Sequence, residues 1–340
     1  TAGRNRSVAA GFGVSAPYPW LESAWQRLLA TRARPAQALL LAGPRGVGKS
    51  ELAQAWAQAL LCEAPQPDGA ACGSCPACHW FETGAHPDFR LVTLQEKTSK
   101  EGETRMATAI EVDQARETVD FVQLSTYRAG FRVVRVDPAD SLNLAAANAL
   151  LKVLEEPPLN TVFVLVSDQP RRLLPTIRSR CTRLDIGLPP VEQAAQWLAG
   201  QGVDDAVNLL ALSGGTPLDA QRWADGGELD ERRAVLQGLA RPDQIDPVTL
   251  GERWKAVSPQ TWHNVAYKWL GDLLAVKLQG KVQFNRDFAE ALARLGKQAD
   301  LAKLLALART QANEGRILAH PLNRTLQLEV WLIQYQHLFD

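Results

Sequence analysis

The sequence predicts an α/β domain built on a parallel sheet, followed by an all-helical C-terminal half. Three observations predict it. Short apolar runs alternate with helix-forming stretches up to about residue 187. A glycine-rich loop joins the first run to a helix. Strand-like segments disappear after Pro189 and Pro190. Alternation of this kind makes neighbouring strands parallel, because a helix must carry the chain back along the sheet before the next strand begins.

The elements follow in order. Ala38–Ala42 (ALLLA) is apolar throughout, the pattern of a buried strand feeding a loop. Residues 50–61 carry helix formers with apolar residues at helical spacing. Residues 89–94 (FRLVTL) form a second strand candidate, and residues 95–103 (QEKTSKEGE) are polar enough to predict a mobile loop. Residues 110–124 read as a helix, 131–137 (FRVVRVD) as a strand, 142–154 as a helix stopped by Pro157 and Pro158, and 161–167 (TVFVLVS) as the fourth strand. Beyond Pro190 helical periodicity dominates, as in residues 300–311 and 322–335. That half also holds six of the ten tryptophans, which reads as packing rather than a binding surface. Gly214, Gly215 and Pro217 mark one break there, and Gly226 and Gly227 another. The expected division is a lead-in at 1–14, an α/β domain at 15–187, a small helical domain at 188–227 and a larger one at 228–340.

Composition narrows the function classes. The 340 residues include 37 basic and 37 acidic ones, so no broad basic surface for binding nucleic acid unaided is expected. There is no apolar run of the ~18 residues that a membrane span needs, and residues 1–14 lack the apolar core of a signal peptide. A soluble cytoplasmic protein is expected.

Gly43, Pro44, Arg45, Gly46, Val47, Gly48, Lys49 and Ser50 satisfy G-x-x-x-x-G-K-[ST] in full, between strand and helix. Glycines let successive backbone N–H groups wrap a phosphate, Lys49 adds a charge for the β and γ phosphates, and Ser50 offers a hydroxyl to Mg²⁺ at the helix start. ATP or ADP with Mg²⁺ is the implied ligand. The third strand ends in Asp137, the expected place for a carboxylate near Mg²⁺. Pro138 follows, with no side-chain base, and Asp140 is read as turned away from the attacking water. Nucleotide binding is therefore expected without strong hydrolysis.

Four of five cysteines fall within seventeen residues: Cys62, Cys72, Cys75 and Cys78. Four thiols at that spacing in a Gly/Pro-rich loop predict a closed structural Zn²⁺ site at residues 62–78, with His79 and His86 as alternative ligands. Cys181 reads as a small buried residue.

Further motifs carry a resemblance. Residues 148–158 read NALLKVLEEPP, and residues 176–181 read TIRSRC. Together with the phosphate loop and the cysteine insert, they resemble the clamp-loader branch of the AAA+ proteins from Pro19 to the C-terminus. The resemblance implies an AAA+ domain with a zinc module, a helical lid and a helical collar that joins a five-subunit ring. It implies a component of the DNA polymerase III holoenzyme that loads a sliding clamp onto primed DNA beside gamma/tau and delta subunits. Arg180 then corresponds to the family's arginine finger, which acts on a nucleotide bound by a neighbouring subunit. By the same resemblance Ser167, at the end of the fourth strand, takes the place of a polar nucleotide-sensing residue, an ordinary strand-end serine being the equal alternative. The family's motor pattern, an Asp-Glu pair and an arginine just after the Gly-Gly turn of the small helical domain, is missing at Pro138 and around Gly214–Leu218. A stationary subunit with weak or no ATPase activity of its own is therefore expected. An active gamma/tau-type ATPase is the main alternative, and a zinc-containing DNA-binding module a more distant one.

Overall fold

A computed structural model describes residues 17–98, 104–127, 130–226, 228–314 and 323–340; the lead-in expected at 1–14 lies outside them. In the N-terminal part the elements run α1 (Glu22–Ala30), β1 (Ala38–Ala42), α2 (Lys49–Leu61), α3 (Pro76–Glu82), β2 (Phe89–Val92), β3 (Glu96–Thr98), β4 (Thr104–Met106), α4 (Val112–Gln123), β5 (Arg132–Val136), α5 (Leu144–Glu155), β6 (Thr161–Ser167), α6 (Pro175–Arg178) and β7 (Thr182–Asp185). Five strands make one parallel sheet in the order β2-β5-β6-β1-β7.

Side-chain alternation explains why β1 is apolar at every position. Leu39 and Leu41 join Val133, Val162, Val164 and the α2 residues Leu52 and Trp56 in the core on one face. Ala38, Leu40 and Ala42 join Val134, Phe163, Leu165 and the α5 residues Leu150 and Val153 on the other. A strand covered by helices on both faces has no polar side, so the pattern is continuous rather than alternating. α5 begins where Asn143 Oδ1 accepts a hydrogen bond from the Ala146 amide at 2.7 Å. It ends at Glu155, ahead of Pro157, as the sequence predicts.

Two segments depart from expectation. The stretch read as a mobile loop contains β3, paired antiparallel with β4 from Glu96↔Met106 to Thr98↔Thr104. Polar composition concealed it, because a solvated two-stranded ribbon needs no apolar face to close its ladder. β7 was not anticipated; as an edge strand it buries only Leu184, too little apolar signal to register.

The chain divides into two compact units, Thr1–Gln193 and Ala194–Asp340. The described residues of the second are helical: α7 (Val191–Gly200) enters it, followed by α8 (Ala206–Ser213), α9 (Pro217–Asp225), α10 (Glu228–Leu239), α11 (Pro247–Trp254), α12 (Pro259–Lys277), α13 (Ala289–Gln298), α14 (Leu301–Glu314) and α15 (Arg324–Gln336). Residue 322, where the last helix was expected to begin, lies outside the described residues, as does Gly227. One core gathers residues from α7–α9. A larger one, from α10 onward, contains Trp254, Trp262, Trp269 and Trp331, so these tryptophans pack the interior. Among the described residues no helix is long and apolar enough to cross a membrane.

Candidate functional site

The phosphate loop leaves the C-terminal end of β1. The register Ala42↔Ser167 sets Ser167 beside its start, and Gly43 N–H donates to the Ser167 carbonyl at 3.3 Å. On the other side, Ile186 N–H donates to the Ala42 carbonyl at 2.8 Å. A Cβ on Gly43 would stand 2.0 Å from the Ile186 oxygen, so no other residue fits there. Gly48 has φ of 91° and lies against the Tyr18 ring, where a Cβ would come within 2.5 Å. Tyr18 stacks on Trp20, centroids 5.0 Å apart, and Trp20 Nε1 donates to the Val47 carbonyl at 2.9 Å. The loop is thus walled by an aromatic pair from the segment preceding α1.

Each charged or hydroxyl group predicted here, apart from Arg45 and Ser50, has a partner inside the fold. Lys49 is 3% exposed, and its Nζ donates to the Pro44 carbonyl and to Asp168 Oδ1, both at 2.6 Å. Asp137, just past β5, pairs with Arg135 Nη2 at 2.9 Å, and Arg135 Nη1 donates to Gln54 Oε1 on α2 at 2.5 Å. The Ser167 hydroxyl donates to Asp140 Oδ1 at 2.7 Å, and the same oxygen accepts the Asp168 amide at 3.0 Å. Asp140 is therefore a brace between β6 and the loop after β5. Glu51, next to Ser50, is pushed above the usual carboxylate range by burial, while Arg135 and Lys49 pull it back. Sequence reasoning missed Asp168, Arg135 and Glu51. The one available signal was that Asp168 directly follows the predicted Ser167.

Arg180 lies elsewhere. It precedes β7, whose Thr182 is in register with Leu39 near the start of β1, whereas the phosphate loop leaves the end of β1. A strand of this length separates the two by about 16 Å. The guanidinium donates to the Thr176 carbonyl at 2.9 Å and pairs with Glu155 at 3.1 Å. Nearby Cys181 is held up at about 11 by burial, the condition of an unreactive thiol.

The four predicted cysteines meet. Their sulfurs all lie within 4.8 Å of one another. Cys62 Sγ is 3.6 Å from Cys72 Sγ and 3.9 Å from Cys75 Sγ, and Cys72 Sγ is 4.0 Å from Cys78 Sγ. A tetrahedron with metal–sulfur bonds of ~2.3 Å has edges of about 3.8 Å, so the donor set fits a four-coordinate metal ion. Backbone amides of Cys72, Cys75 and Cys78 donate to neighbouring sulfurs at 3.2, 3.3 and 3.5 Å. The hydrogen bond from the Ser74 amide leads in lowering the Cys72 thiol to about 6, while burial pushes Cys62 and Cys78 up. A cation among them would compensate the buried thiolates. Neither His79 nor His86 belongs to the group; His86 Nδ1 instead accepts the Asp88 amide at 3.1 Å.

The chain is similar in sequence to known DNA polymerase III subunits. The family model described as DNA polymerase III, delta subunit, matches residues 21–189. The DNA polymerase III subunit delta' of Pseudomonas aeruginosa is 38% identical over 331 residues, covering 94% of this chain and 98% of that protein. Its counterpart from Escherichia coli (strain K12) is 32% identical over 334 residues, covering 94% and 95%. The gamma/tau subunit of Mycobacterium tuberculosis is 35% identical over 190 residues, only 54% of this chain and 31% of that protein. A solved DNA polymerase III gamma subunit-related protein from Thermotoga maritima covers 93% of this chain and 99% of its own, with 18% identity and a TM-score of 0.45. With similarity to the delta' proteins running almost end to end in both partners, the chain belongs to the DNA polymerase III subunit delta' family.

Proposed function

We propose that the chain is the stationary subunit of a clamp-loader ring, and that it contributes Arg180 to the nucleotide site of an adjacent gamma/tau-type subunit. The ring opens a sliding clamp and closes it on primed DNA in the cytoplasm. This chain braces the ring beside a delta subunit through residues 228–340, the collar, with residues 188–227 as the lid. The observation that carries the reading is the position of Arg180, at the opposite end of the strands from its own phosphate loop. From there a guanidinium serves another chain's phosphate more readily than its own.

The phosphate loop, formed by Gly43, Arg45, Gly46, Val47, Gly48, Lys49 and Ser50 with Asp137 and Ser167 alongside, is read as a nucleotide site retained for structure. Internal partners on Lys49, Asp137 and Ser167 support weak or absent hydrolysis. The metal held by Cys62, Cys72, Cys75 and Cys78 is read as structural zinc, because four sulfur donors leave no position for a reacting water.

Its intact phosphate loop favours one other reading, an active ATPase. One experiment separates the two: ATP turnover by a clamp loader rebuilt with this chain, with Arg180→Ala, and by the chain alone. The expected result is an inactive isolated chain and a complex sharply slowed by the substitution. Turnover by the isolated chain at the rate of the complex, or a complex indifferent to Arg180→Ala, overturns the assignment.

A further inference from the structure

We propose that Glu155 is a positioning residue for Arg180, fixing the direction from which the guanidinium meets a phosphate held by a neighbouring subunit. The inference rests on the reading of Arg180 as a trans-acting finger.

Two anchors from different elements hold the guanidinium. Arg180 Nη2 pairs with Glu155 Oε1 at 3.1 Å, from the last residue of α5. Arg180 Nη1 donates to the Thr176 carbonyl at 2.9 Å, from α6. Arginine has a long side chain whose freedom must be given up before it can stabilise charge on a transferring phosphoryl group. Gripping both terminal nitrogens removes that freedom before the neighbour's nucleotide arrives.

Fold stability does not account for the pair. The side chain of Glu155 is 58% exposed and that of Arg180 30%, and ion pairs that open to water contribute little to stability. What the contact does set is orientation. Nη1 donates to the Thr176 carbonyl, and Nη2 is held in the ion pair with Glu155. Each terminal nitrogen carries two hydrogens, so donors remain for the forked approach that guanidinium makes to a phosphate. Glu155 and Arg180 also line one open pocket of about 550 Å³ with Gln37, Leu154, Ser179 and Thr182, so the guanidinium is reachable from outside the chain. Arg180 Nε is buried and has no hydrogen-bond partner among the described residues, so the terminal nitrogens make the contacts that aim the group.

A carboxylate beside a finger acts in two opposing ways. It aims the guanidinium, and it offsets part of the positive charge that the phosphate meets. Aiming is proposed to dominate, and this fixes the sign of the test. Clamp loaders are rebuilt with Glu155→Ala, Glu155→Gln, Arg180→Ala and the Ala/Ala double variant, and kcat and KM for ATP are measured. Glu155→Ala is expected to lower kcat by roughly three- to tenfold with little change in KM. Glu155→Gln, which keeps an oxygen acceptor, is expected to recover most of that loss. With Arg180→Ala already in place, removing Glu155 should add nothing, because its effect passes through the arginine. Unchanged or faster turnover with Glu155→Ala, or a further loss in the double variant, overturns the proposal while leaving the finger reading standing. An Arg180→Ala complex that works normally removes both. Should the alanine variant assemble poorly, Glu155→Gln decides alone: a kcat below one-tenth of wild type overturns the idea that an acceptor oxygen is what aims the arginine.

Discussion

Lys49 illustrates how a residue can match a motif and still be committed elsewhere. Its ammonium is buried and shared between the Pro44 carbonyl and Asp168. A nucleotide phosphate that claimed Lys49 would have to displace Asp168, and a charge-assisted hydrogen bond is worth roughly 1.5–3 kcal/mol. Asp168→Asn should therefore tighten nucleotide binding by the isolated chain about tenfold or more, since ~1.4 kcal/mol is a factor of ten. Calorimetric titration with ATP and with ADP measures this. If affinity stayed level or fell, Asp168 would not be competing for the lysine. Asp137 presents the same situation with Arg135 as its internal partner. Proximity in sequence pointed to Lys49 but could not point to Asp168, because that contact spans 119 residues and depends on β1 and β6 lying side by side.

At the scale of elements, the cysteine module joins two helix ends. Cys62 is the C-cap of α2, and Cys75 is the N-cap of α3, accepting the Cys78 amide. A metal ion there would fix where one helix stops and the next begins. Cys75→Ser should abolish binding of a single zinc ion per chain, measured by elemental analysis. It should also speed hydrogen exchange across residues 62–82 while β1 and β6 stay protected. Equal zinc content in the variant would mean that the four sulfurs are not the ligand set. The module was legible in sequence because thiol spacing is nearly its whole specification. β1 and β6 were legible as well, β1 being apolar throughout and β6 from Val162 to Val166, both buried on both faces. The β3–β4 ribbon and β7 were not: a polar ribbon and an edge strand with one buried residue draw their order from ladder bonds to a neighbour. Those bonds leave little trace in the identity of the side chains. The position of Arg180 at the other end of the strands from the phosphate loop was hidden for the same reason, since it follows from the register of β7.

At the scale of the whole molecule, each compact unit has cores of its own, so loss of packing in one should be felt mainly there. Tyr335 tests this. It is fully buried, stacks on Trp331 at 5.3 Å, accepts a hydrogen bond from Trp269 Nε1 at 2.8 Å and donates to the Leu239 carbonyl at 2.7 Å. A single hydroxyl thus satisfies a buried indole on α12 and a buried carbonyl at the end of α10. Tyr335→Phe keeps the ring and the stack but leaves both groups without that partner, a cost of about 1–3 kcal/mol. For a unit of this size, each kcal/mol lowers the midpoint of thermal unfolding by roughly 2–4 °C. Exchange should accelerate in α10, α12 and α15 of the second unit, while the sheet of the first unit and its zinc content remain as in the wild type. Exchange that rose equally in both units would show that they unfold as one cooperative body. In that case the second unit could not be altered without disturbing the one that carries Arg180. If the effect stays local, residues 228–340 and Arg180 can be varied separately, as the proposed bracing and finger roles would require.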